Sequence, residues 1–234
     1  MTLARVVSLV PSATETLVAL GVAPVGCTRF CDMADVPTVG GTKNIDVDAV
    51  VALAPDLVIV NDEENRIEDA ESLVARGLAL HSMSPRSVAD VGTAVCALAA
   101  AIGAESPAPF DAWDAWQART RTPERLSAFI PIWRRPWMSL AADTYGSSLL
   151  AHAGIANIFG DSVDRYPEVS LGEVAARGPD VALLPSEPYA FAERHALELR
   201  DAVPRLRATF VDGRDLFWWG IRTPAAAERL QTVG

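Results

Sequence analysis

VVSLVPSATETLVALGV, at residues 6–22, is the stretch that decides the fold. Its apolar run Val6–Val10 stops at Pro11, and a helix-forming segment then runs to Gly21. A continuous apolar run of this length is typical of a parallel strand that is buried on both faces. DAVVALAPDLVIV, at residues 48–60, adds a short helix and a further apolar strand. Strands that alternate with helices predict a parallel sheet covered by helices.

The second half of the chain repeats this pattern. WMSLAADTYGSSLLAHAGI (residues 137–155) and SLGEVAARGPDVALLP (residues 170–185) each correspond to one part of the first copy. Both copies read as an apolar strand, a Ser/Thr-capped helix that ends in Gly, and a short helix that leads through Pro-Asp into another strand. A duplicated α/β unit predicts two similar lobes with a ligand-binding cleft between them.

The pattern divides the chain into three parts. We predict an N-terminal α/β lobe at residues 1–86, a helical connector at 87–128 and a C-terminal α/β lobe at 129–234. No Gly/Ser-rich linker separates the halves, so the connector is expected to be rigid. In the first lobe Ser12 and Glu15 are spaced as a helix capping box. In the second lobe residues 137–141 are predicted as a strand, and residues 110–126 as the last connector helix.

Composition excludes several classes of protein. The 234 residues carry a formal net charge of −10, which argues against nucleic acid or an anionic membrane surface as the main partner. Half of the residues are hydrophobic, which is too many for a disordered chain. No apolar run approaches the roughly 20 residues that a membrane-spanning helix needs. We therefore expect a folded monomer that does not insert into membranes.

The start of the sequence and its cysteines bear on location. Met1–Arg5 leaves no room for a signal peptide before the first strand, so the chain as written is expected in the cytoplasm. A longer natural N-terminus would instead place it in the periplasm or outside the cell. Three cysteines, an odd number, fit a reducing compartment. Cys27 and Cys31 are read as a small buried residue and a loop thiol, with a metal-ligand pair as the alternative.

The motifs taken together resemble a known family. PSATE followed by a helix and Gly, VGG at residues 39–41, DAVVALAPDLVI at 48–59 and the second copy are similar to the periplasmic binding proteins for vitamin B12 and ferric siderophores, the helical-backbone metal receptors. The resemblance implies two Rossmann-like lobes on a long rigid helix, the class III substrate-binding-protein fold. It also implies a small-molecule metal chelate as ligand and an ABC permease as partner.

Two details of the resemblance concern single residues. Cys31-Asp32 resembles a C-D-x-P element of cobalamin-binding members that often have His two positions before the Cys. Arg29 stands at that position, so cobalt ligation by a His is not expected there. The family docks onto its permease through one acidic residue on each lobe, and Glu68 and Glu193 are possible counterparts. Ordinary surface acids at helix starts are the competing interpretation.

Candidate ligand residues follow from the rule that parallel α/β sheets bind at the carboxyl ends of their strands. The turns predicted there are rich in aromatic and charged residues. Aromatic faces suit a planar ligand such as a corrin, and arginines recognise carboxylate or phosphate. The predicted set is Ser12, Arg29, Asp32, Glu64, Trp133, Arg134, Arg135, Tyr145, Glu187, Tyr189, Trp218, Trp219 and Arg222.

Some of these residues have competing structural interpretations. Adjacent side chains on an extended chain point to opposite faces, so one of Trp218 and Trp219 is expected to face the ligand. Glu64 and Glu187 follow equivalent strands and could line the site, or could be solvated acids at helix starts. His195, in an Arg/Glu-rich helix, is predicted to be exposed. His spacings typical of zinc sites are missing from the sequence, so no protein-bound metal is expected.

The favoured function is a binding protein for a corrinoid, a ferric siderophore or a similar metal chelate, linked to ABC-type uptake. No intrinsic cofactor is expected, because the chelate would be the ligand. The alternative is a cytoplasmic sensor or chaperone for such a compound. An enzyme is less favoured, because phosphate-binding glycine motifs and a G-x-S-x-G elbow are missing from the sequence. Cys31 with Asp32 is the one nucleophile-like pair.

Overall fold

The computed structural model describes residues 5–234. The strands are β1 (Val6–Ser8), β2 (Gly26–Cys27), β3 (Gly40–Gly41), β4 (Asn44–Ile45), β5 (Leu57–Val60), β6 (Leu80–Ser82), β7 (Leu126–Phe129), β8 (Ile155–Asn157), β9 (Val181–Pro185) and β10 (Arg207–Val211). The α-helices are α1 (Pro11–Ala19), α2 (Val47–Ala52), α3 (Ile67–Ala75), α4 (Val88–Ile102), α5 (Trp113–Thr120), α6 (Tyr145–His152), α7 (Leu171–Arg177), α8 (Glu193–Ala202), α9 (Gly213–Phe217) and α10 (Thr223–Gln231). The signal-peptide prediction concerns residues 1–4, which lie outside the described residues.

Two four-stranded parallel sheets have the same topology. The first has the order β2-β1-β5-β6 and the second, read from its other edge, has the order β8-β7-β9-β10. In both sheets the strand that comes first along the chain lies between the second and the third. The strands that contain Leu57 and Val181 are therefore in different sheets. These sheets confirm the predicted α/β class with duplicated parallel units.

The described residues form two compact units, which we call the first unit and the second unit. The first unit contains the described residues up to Pro85 together with Asp90–Trp113 and Trp219–Arg222. The second unit contains Arg86–Ala89, Asp114–Trp218 and Thr223–Gly234. The division predicted from the sequence, with a rigid connector at residues 87–128, stays a prediction.

Each sheet has its own apolar core. In the first unit the core is formed by valines and leucines of the strands, of the segments next to them and of α2 and α3: Val7, Leu9, Val39, Val50, Val58, Val60 and Leu73. In the second unit Phe129 and Trp137 are joined by Phe159, Leu184 and Phe191, among others. This second core is aromatic, and its rings continue toward the carboxyl ends of β7 and β9. The apolar runs of β1 and β9 are buried along their whole length, as is typical of parallel strands.

The predicted strand at residues 137–141 is wrong. Trp137, Leu140 and Ala141 are buried, but the backbone pairs with neighbouring loops: Met138 bridges to Trp133 and Glu168. The central strand of the second sheet is instead β7, at residues 126–129. A short apolar run shows burial and does not distinguish a strand from an ordered loop.

Two helix predictions also differ from the structure. The helix predicted to reach residue 126 ends at Thr120, ahead of Pro123, since Pro disfavours helical backbone in the residue before it. The predicted capping box of α1 is wrong as well. Val10 is the N-cap residue, without a side-chain cap, and Pro11 takes the first helical position, so Ser12 lies inside the helix. None of the helices within residues 5–234 is long and apolar enough to cross a membrane.

Candidate functional site

The loops that follow the strands define a carboxyl edge for each sheet, and the two edges are described separately. In the first unit these loops contain Arg29, Asp32 and Glu64, and Ser12 lies in the first turn of α1, which follows β1. Arg29 and Asp32 are exposed, Glu64 is half-buried and Ser12 is buried. The Ser12 hydroxyl has no hydrogen-bond partner in the described structure, although its backbone carbonyl accepts from Thr16 at 3.0 Å. The four predicted residues of the first unit therefore lie at one edge of the sheet, but they differ in how far they are exposed to solvent.

The VGG segment shapes the Arg29 loop. Gly40 has a φ of +98°, a conformation that favours glycine. A Cβ atom on Gly41 would lie 3.0 Å from Arg29 Nη2 and 3.2 Å from the Phe30 ring, so the missing side chain lets both residues lie against the backbone. The Arg29 guanidinium lies 4.9 Å from the Phe30 ring centroid, and Phe30 is half exposed. This loop presents a cation and an aromatic ring together.

Two buried asparagines position the Glu64 loop, and sequence reasoning missed both. Asn61 Oδ1 accepts hydrogen bonds from the backbone N–H groups of Glu63 (2.7 Å) and Glu64 (3.0 Å). Asn65 Oδ1 accepts from the Asn61 N–H at 2.8 Å, and Asn65 Nδ2 donates to the Leu9 carbonyl at 3.2 Å. Asparagines directly after a buried strand were the available signal, because such side chains commonly bond to the nearby backbone.

Arg222 is engaged within the first unit. Its guanidinium donates to both carboxylate oxygens of Glu15, from Nε at 2.9 Å and from Nη2 at 2.6 Å. A bidentate pair of this kind is the geometry by which arginine recognises carboxylate. The expected ligand contact of Arg222 would have to compete with Glu15. The sequence assigned Glu15 to a capping box and so missed this partner.

Trp219 and Trp218 have different surroundings. Trp219 belongs to the first unit and is 4% exposed, whereas Trp218 belongs to the second unit and is half-buried. Gly220 follows at a φ of +104°, where an added Cβ would lie 2.2 Å from Thr16 Oγ1. The close approach of the Gly220 backbone to Thr16 fixes this turn in the first unit. The prediction that one of the two indoles is accessible therefore favours Trp218.

An aromatic cluster lies at the carboxyl edge of the second sheet. Trp133 follows β7, Tyr189 follows β9, and their rings meet edge to face with centroids 5.4 Å apart. Tyr189 also contacts Phe191 at 4.9 Å, and Phe191 stacks on Trp137 at 5.8 Å. Trp133 is 45% exposed, although its partners are largely buried. The cluster thus continues the aromatic core to an accessible indole.

Arg134 and Arg135 differ in their contacts. Arg134 is ion-paired with Glu198, Nε donating to Oε2 at 3.0 Å, and its guanidinium lies 4.9 Å from the Trp137 ring centroid. Arg135 is exposed at a bend, with a φ of +74°. Arg135 is therefore the better placed of the two to reach an anionic group of a ligand. Arg134 instead ties the β7 loop to α8.

Glu187 holds Trp218 in place. Trp218 Nε1 donates a hydrogen bond of 2.6 Å to Glu187 Oε1, and the Arg214 guanidinium lies 4.8 Å from the Trp218 ring centroid. Arg214 Nε is also 3.9 Å from Glu187 Oε2. Gly213 allows this arrangement, because a Cβ there would lie 2.5 Å from the Glu187 backbone. Sequence reasoning missed Arg214, which stands four residues before Trp218 on the short helix α9.

Tyr145 and His195 lie deeper than expected. The Tyr145 hydroxyl is buried and bonded to Thr223 Oγ1 at 2.9 Å. His195, predicted to be exposed, is 5% exposed and packs against Tyr189 and Phe191. Burial lowers the pKa of His195, with a further lowering by Arg194. The Arg/Glu-rich sequence of α8 led to the prediction of an exposed histidine. Only one face of the helix is polar, however, and His195 lies on the buried face with Ala196 and Leu199.

The potential metal ligands and two of the cysteines have surroundings that bear on metal binding and catalysis. No three His, Cys, Asp or Glu side chains between residues 5 and 234 are grouped so that they could hold a metal ion. Cys31 Sγ lies 3.1 Å from Thr14 Oγ1 and 3.3 Å from Thr28 Oγ1. Burial, reinforced by the neighbouring Cys31, raises the pKa of the Cys27 thiol to about 12. A buried thiol that stays protonated is a poor nucleophile and a poor metal ligand.

Comparison with known proteins places these observations in a family. Residues 6–187 match the family described as periplasmic binding protein. The vitamin B12-binding protein of Vibrio parahaemolyticus is 25% identical over 240 residues, covering 94% of this chain and 84% of that protein. Among solved structures, the periplasmic vitamin B12 binding protein BtuF of Vibrio cholerae has a TM-score of 0.79 at 22% identity, covering 98% and 96% of the two chains.

A haem-binding relative has the same fold. The periplasmic haem binding protein HutB of Vibrio cholerae has a TM-score of 0.82 at 19% identity and covers 97% of both chains. The sequence motifs, the duplicated parallel sheets and the match over residues 6–187 all agree. This chain belongs to the periplasmic binding protein family.

Proposed function

We propose that this chain is the substrate-binding component of an importer for a corrinoid or a related planar metal chelate such as haem. The observation that carries the proposal is the aromatic edge of the second unit, where Trp133, Tyr189 and Trp218 follow three neighbouring strands. The names of the relatives, which bind vitamin B12 or haem, agree with this chemistry. The aromatic edge supports a large flat ligand more than a small polar solute.

Aromatic side chains suit such a ligand for physical reasons. Indole and phenol rings are rigid, so little conformational entropy is lost when they contact a flat surface. Trp133 is already fixed by its contact with Tyr189, and Trp218 by its hydrogen bond to Glu187. A ligand face would therefore meet rings that are oriented before binding. Preorganised contacts of this kind give more affinity per contact than mobile ones.

Electrostatics would then select among chelates. Arg135 is exposed at the same edge and would favour a ligand with carboxylate or phosphate groups. Arg29, with Phe30, offers similar chemistry on the first unit. The chain as a whole has a net charge of −10, so anion recognition has to be local. Substitution of each arginine alone separates their contributions.

Location and partner follow from the same relatives. Their names call them periplasmic, which supports the periplasmic alternative and gives no support to the cytoplasmic expectation. We place the chain outside the cytoplasmic membrane, where a receptor meets its permease. Glu68 and Glu193, on the first turns of α3 and α8, are exposed and are the proposed docking acids. A cytoplasmic sensor or chaperone would bind the same ligand without supporting uptake.

The proposal includes the absence of turnover. The Cys31 thiol contacts two hydroxyl groups and the Cys27 thiol, and none of these groups is an effective general base. We therefore expect no hydrolysis of ester, phosphate or nucleotide substrates. Saturable hydrolysis that disappears in the Cys31→Ala variant would overturn the binder assignment.

The direct test is a titration of the full chain with cyanocobalamin, haem and a ferric siderophore, followed by tryptophan fluorescence and calorimetry. We expect saturable one-to-one binding of at least one of them. Trp133→Ala should weaken that binding, whereas Leu197→Ala, a matched change at an exposed apolar position on α8, should leave it unchanged. No saturation by any of the three compounds would refute the proposed ligand class. Uptake of the bound compound in cells with the permease separates a receptor from a sensor.

A further inference from the structure

His195 is a buried histidine whose two ring nitrogens have different partners. Nδ1 accepts a hydrogen bond of 2.9 Å from the backbone N–H of Ala192, the N-cap residue of α8. Because Nδ1 accepts, the proton of the neutral ring is on Nε2. Nε2 lies 3.3 Å from the Tyr189 hydroxyl oxygen and can donate to it. The neutral ring therefore links the start of α8 to Tyr189.

The contact continues from Tyr189 to the accessible part of the aromatic edge. The Tyr189 and His195 rings meet with centroids 5.4 Å apart, and Tyr189 meets Trp133 edge to face at the same distance. Trp133 is the most exposed member of this series. A change at His195 would therefore reach Trp133 through one intervening ring.

We propose that neutral His195 is the positioning residue that holds Tyr189 and Trp133 in the orientation for ligand contact, and that its protonation releases them. The proposal rests on the proposed function for its ligand, and it adds a residue that the aromatic edge alone does not reveal. Protonation places a hydrogen on Nδ1, which can then no longer accept from the Ala192 N–H. The imidazolium therefore loses the hydrogen bond from the Ala192 N–H and shifts away from it. The contact of Nε2 with the Tyr189 hydroxyl then changes as well.

The charged groups around His195 come from two elements. On α8, Arg194 disfavours the protonated ring and Glu198 favours it. From the loop after β7, Arg134 also disfavours it, and Arg134 is itself paired with Glu198. Burial acts in the same direction as the arginines. Because the neutral form is favoured in the folded chain, release should occur at a pH below the ordinary histidine value of about 6.5.

The first arm of the test needs no ligand. In two-dimensional NMR spectra of the full chain, the His195 ring protons and the Trp133 indole N–H should shift with one common midpoint below about pH 6.5. The shift of Trp133 should disappear in His195→Gln, since glutamine at this helix position can still accept from the N-cap N–H but does not titrate. It should also disappear in Tyr189→Phe. If the chemical shift of the Trp133 indole N–H does not change while His195 titrates, the proposal is overturned.

The second arm measures cyanocobalamin affinity over the same pH range. We expect wild-type affinity to fall with acidification, by about fivefold, which is the worth of one hydrogen bond. His195→Gln and Tyr189→Phe should flatten this dependence, and the double variant should lose no more than the stronger single variant. His152→Gln is the control, because its buried imidazole stacks on Trp116 and bonds to Thr120. It should change stability without changing the pH dependence of binding.

The two arms separate the two hypotheses. If Trp133 follows His195 but neither cyanocobalamin nor haem binds at any pH, the positioning by His195 stands and the proposed ligand class is wrong. If cyanocobalamin binds with a pH dependence that survives in His195→Gln, the ligand stands and the positioning role is refuted. Purely additive losses in the double variant would also refute it, because residues that act through one another are not additive.

Discussion

At the scale of single residues, the two adjacent tryptophans predict different phenotypes. Trp218 is half-buried and hydrogen-bonded to Glu187, so Trp218→Ala should weaken corrinoid binding at least about tenfold and leave the fold intact. Trp219 is 4% exposed, so Trp219→Ala should cost about 3–5 kcal/mol of unfolding free energy. Calorimetric titration and urea unfolding of both variants measure the two effects. Unchanged affinity in folded Trp218→Ala would place the ligand elsewhere.

The adjacent arginines give a second contrast. Arg135 is exposed, and we expect Arg135→Ala to weaken only ligands with carboxylate or phosphate groups, by an amount that shrinks at high salt. Arg134 is paired with Glu198, so Arg134→Ala leaves that carboxylate without its partner and should lower stability instead. Titrations with haem and with an uncharged chelate at low and high salt test this difference. Equal losses for both ligands in Arg135→Ala would contradict it.

The positions of several candidate site residues at the sheet edge could be predicted from the sequence, whereas the residues that they contact could not. Trp133, Tyr189 and Trp218 could be placed at one sheet edge because a strand ends before each of their loops. Their orientation depends on Glu187 and on His195, and these contacts join segments that are distant in the chain or hidden in a polar helix. Sequence spacing contains no information on such contacts, so the sequence predicts Glu187 as a candidate ligand residue and does not reveal its hydrogen bond to Trp218.

At the scale of elements, the two central strands were not equally predictable. In the first unit β1 runs almost directly into α1, and the pattern of residues 6–22 shows both. In the second unit residues 130–144 separate β7 from α6. The loop at 137–141 in this insertion is apolar and mostly buried, as a strand would be, so the sequence predicts a strand there. The predicted repeat has the correct order of strands and helices. It places the first strand of the second sheet at residues 137–141, whereas the structure has it at residues 126–129.

The caps of the helices give a prediction at this scale. Ser170 Oγ accepts from the Glu173 N–H at 3.2 Å, and Glu173 Oε2 accepts from the Ser170 N–H at 2.7 Å, which together form a capping box. Ser170→Ala should lower the unfolding free energy by about 1 kcal/mol. Ser170→Thr, which keeps an acceptor oxygen, should lose much less. Urea unfolding of both variants measures the difference, and equal losses would mean that the cap contributes nothing.

At the scale of the whole molecule, the fold could be predicted because its determinants are redundant. Two parallel sheets with the same strand order arise from many apolar positions, so one misplaced strand does not change the class. The ligand depends on a few side chains, for which the sequence offers no such redundancy. The aromatic edge supports the proposal of a planar chelate, and binding experiments have to choose among such compounds.

Stability should depend on pH through the histidines. Burial is the leading cause that lowers the pKa of His81, His152 and His195 in the folded chain. The unfolded chain therefore binds protons first as the pH falls, from about 6.5 downward, and acid favours unfolding until the folded forms are protonated as well. Salt-bridged or hydrogen-bonded carboxylates such as Asp161 and Glu173 have lowered pKa values, so their contribution is lost in a separate window below about pH 4.

The expected result is a free energy of unfolding that is flat from about pH 8 to 7 and declines as the pH falls below about 6.5. Replacement of each histidine by Gln should remove part of that decline, because a side chain that does not titrate contributes no proton uptake. Urea unfolding at half-unit pH intervals, on the wild type and the three variants, measures this directly. The carboxylate window at lower pH should be the same in all four proteins. If the slope just below about pH 6.5 is unchanged in all three variants, the buried histidines are not the groups whose protonation destabilises the fold.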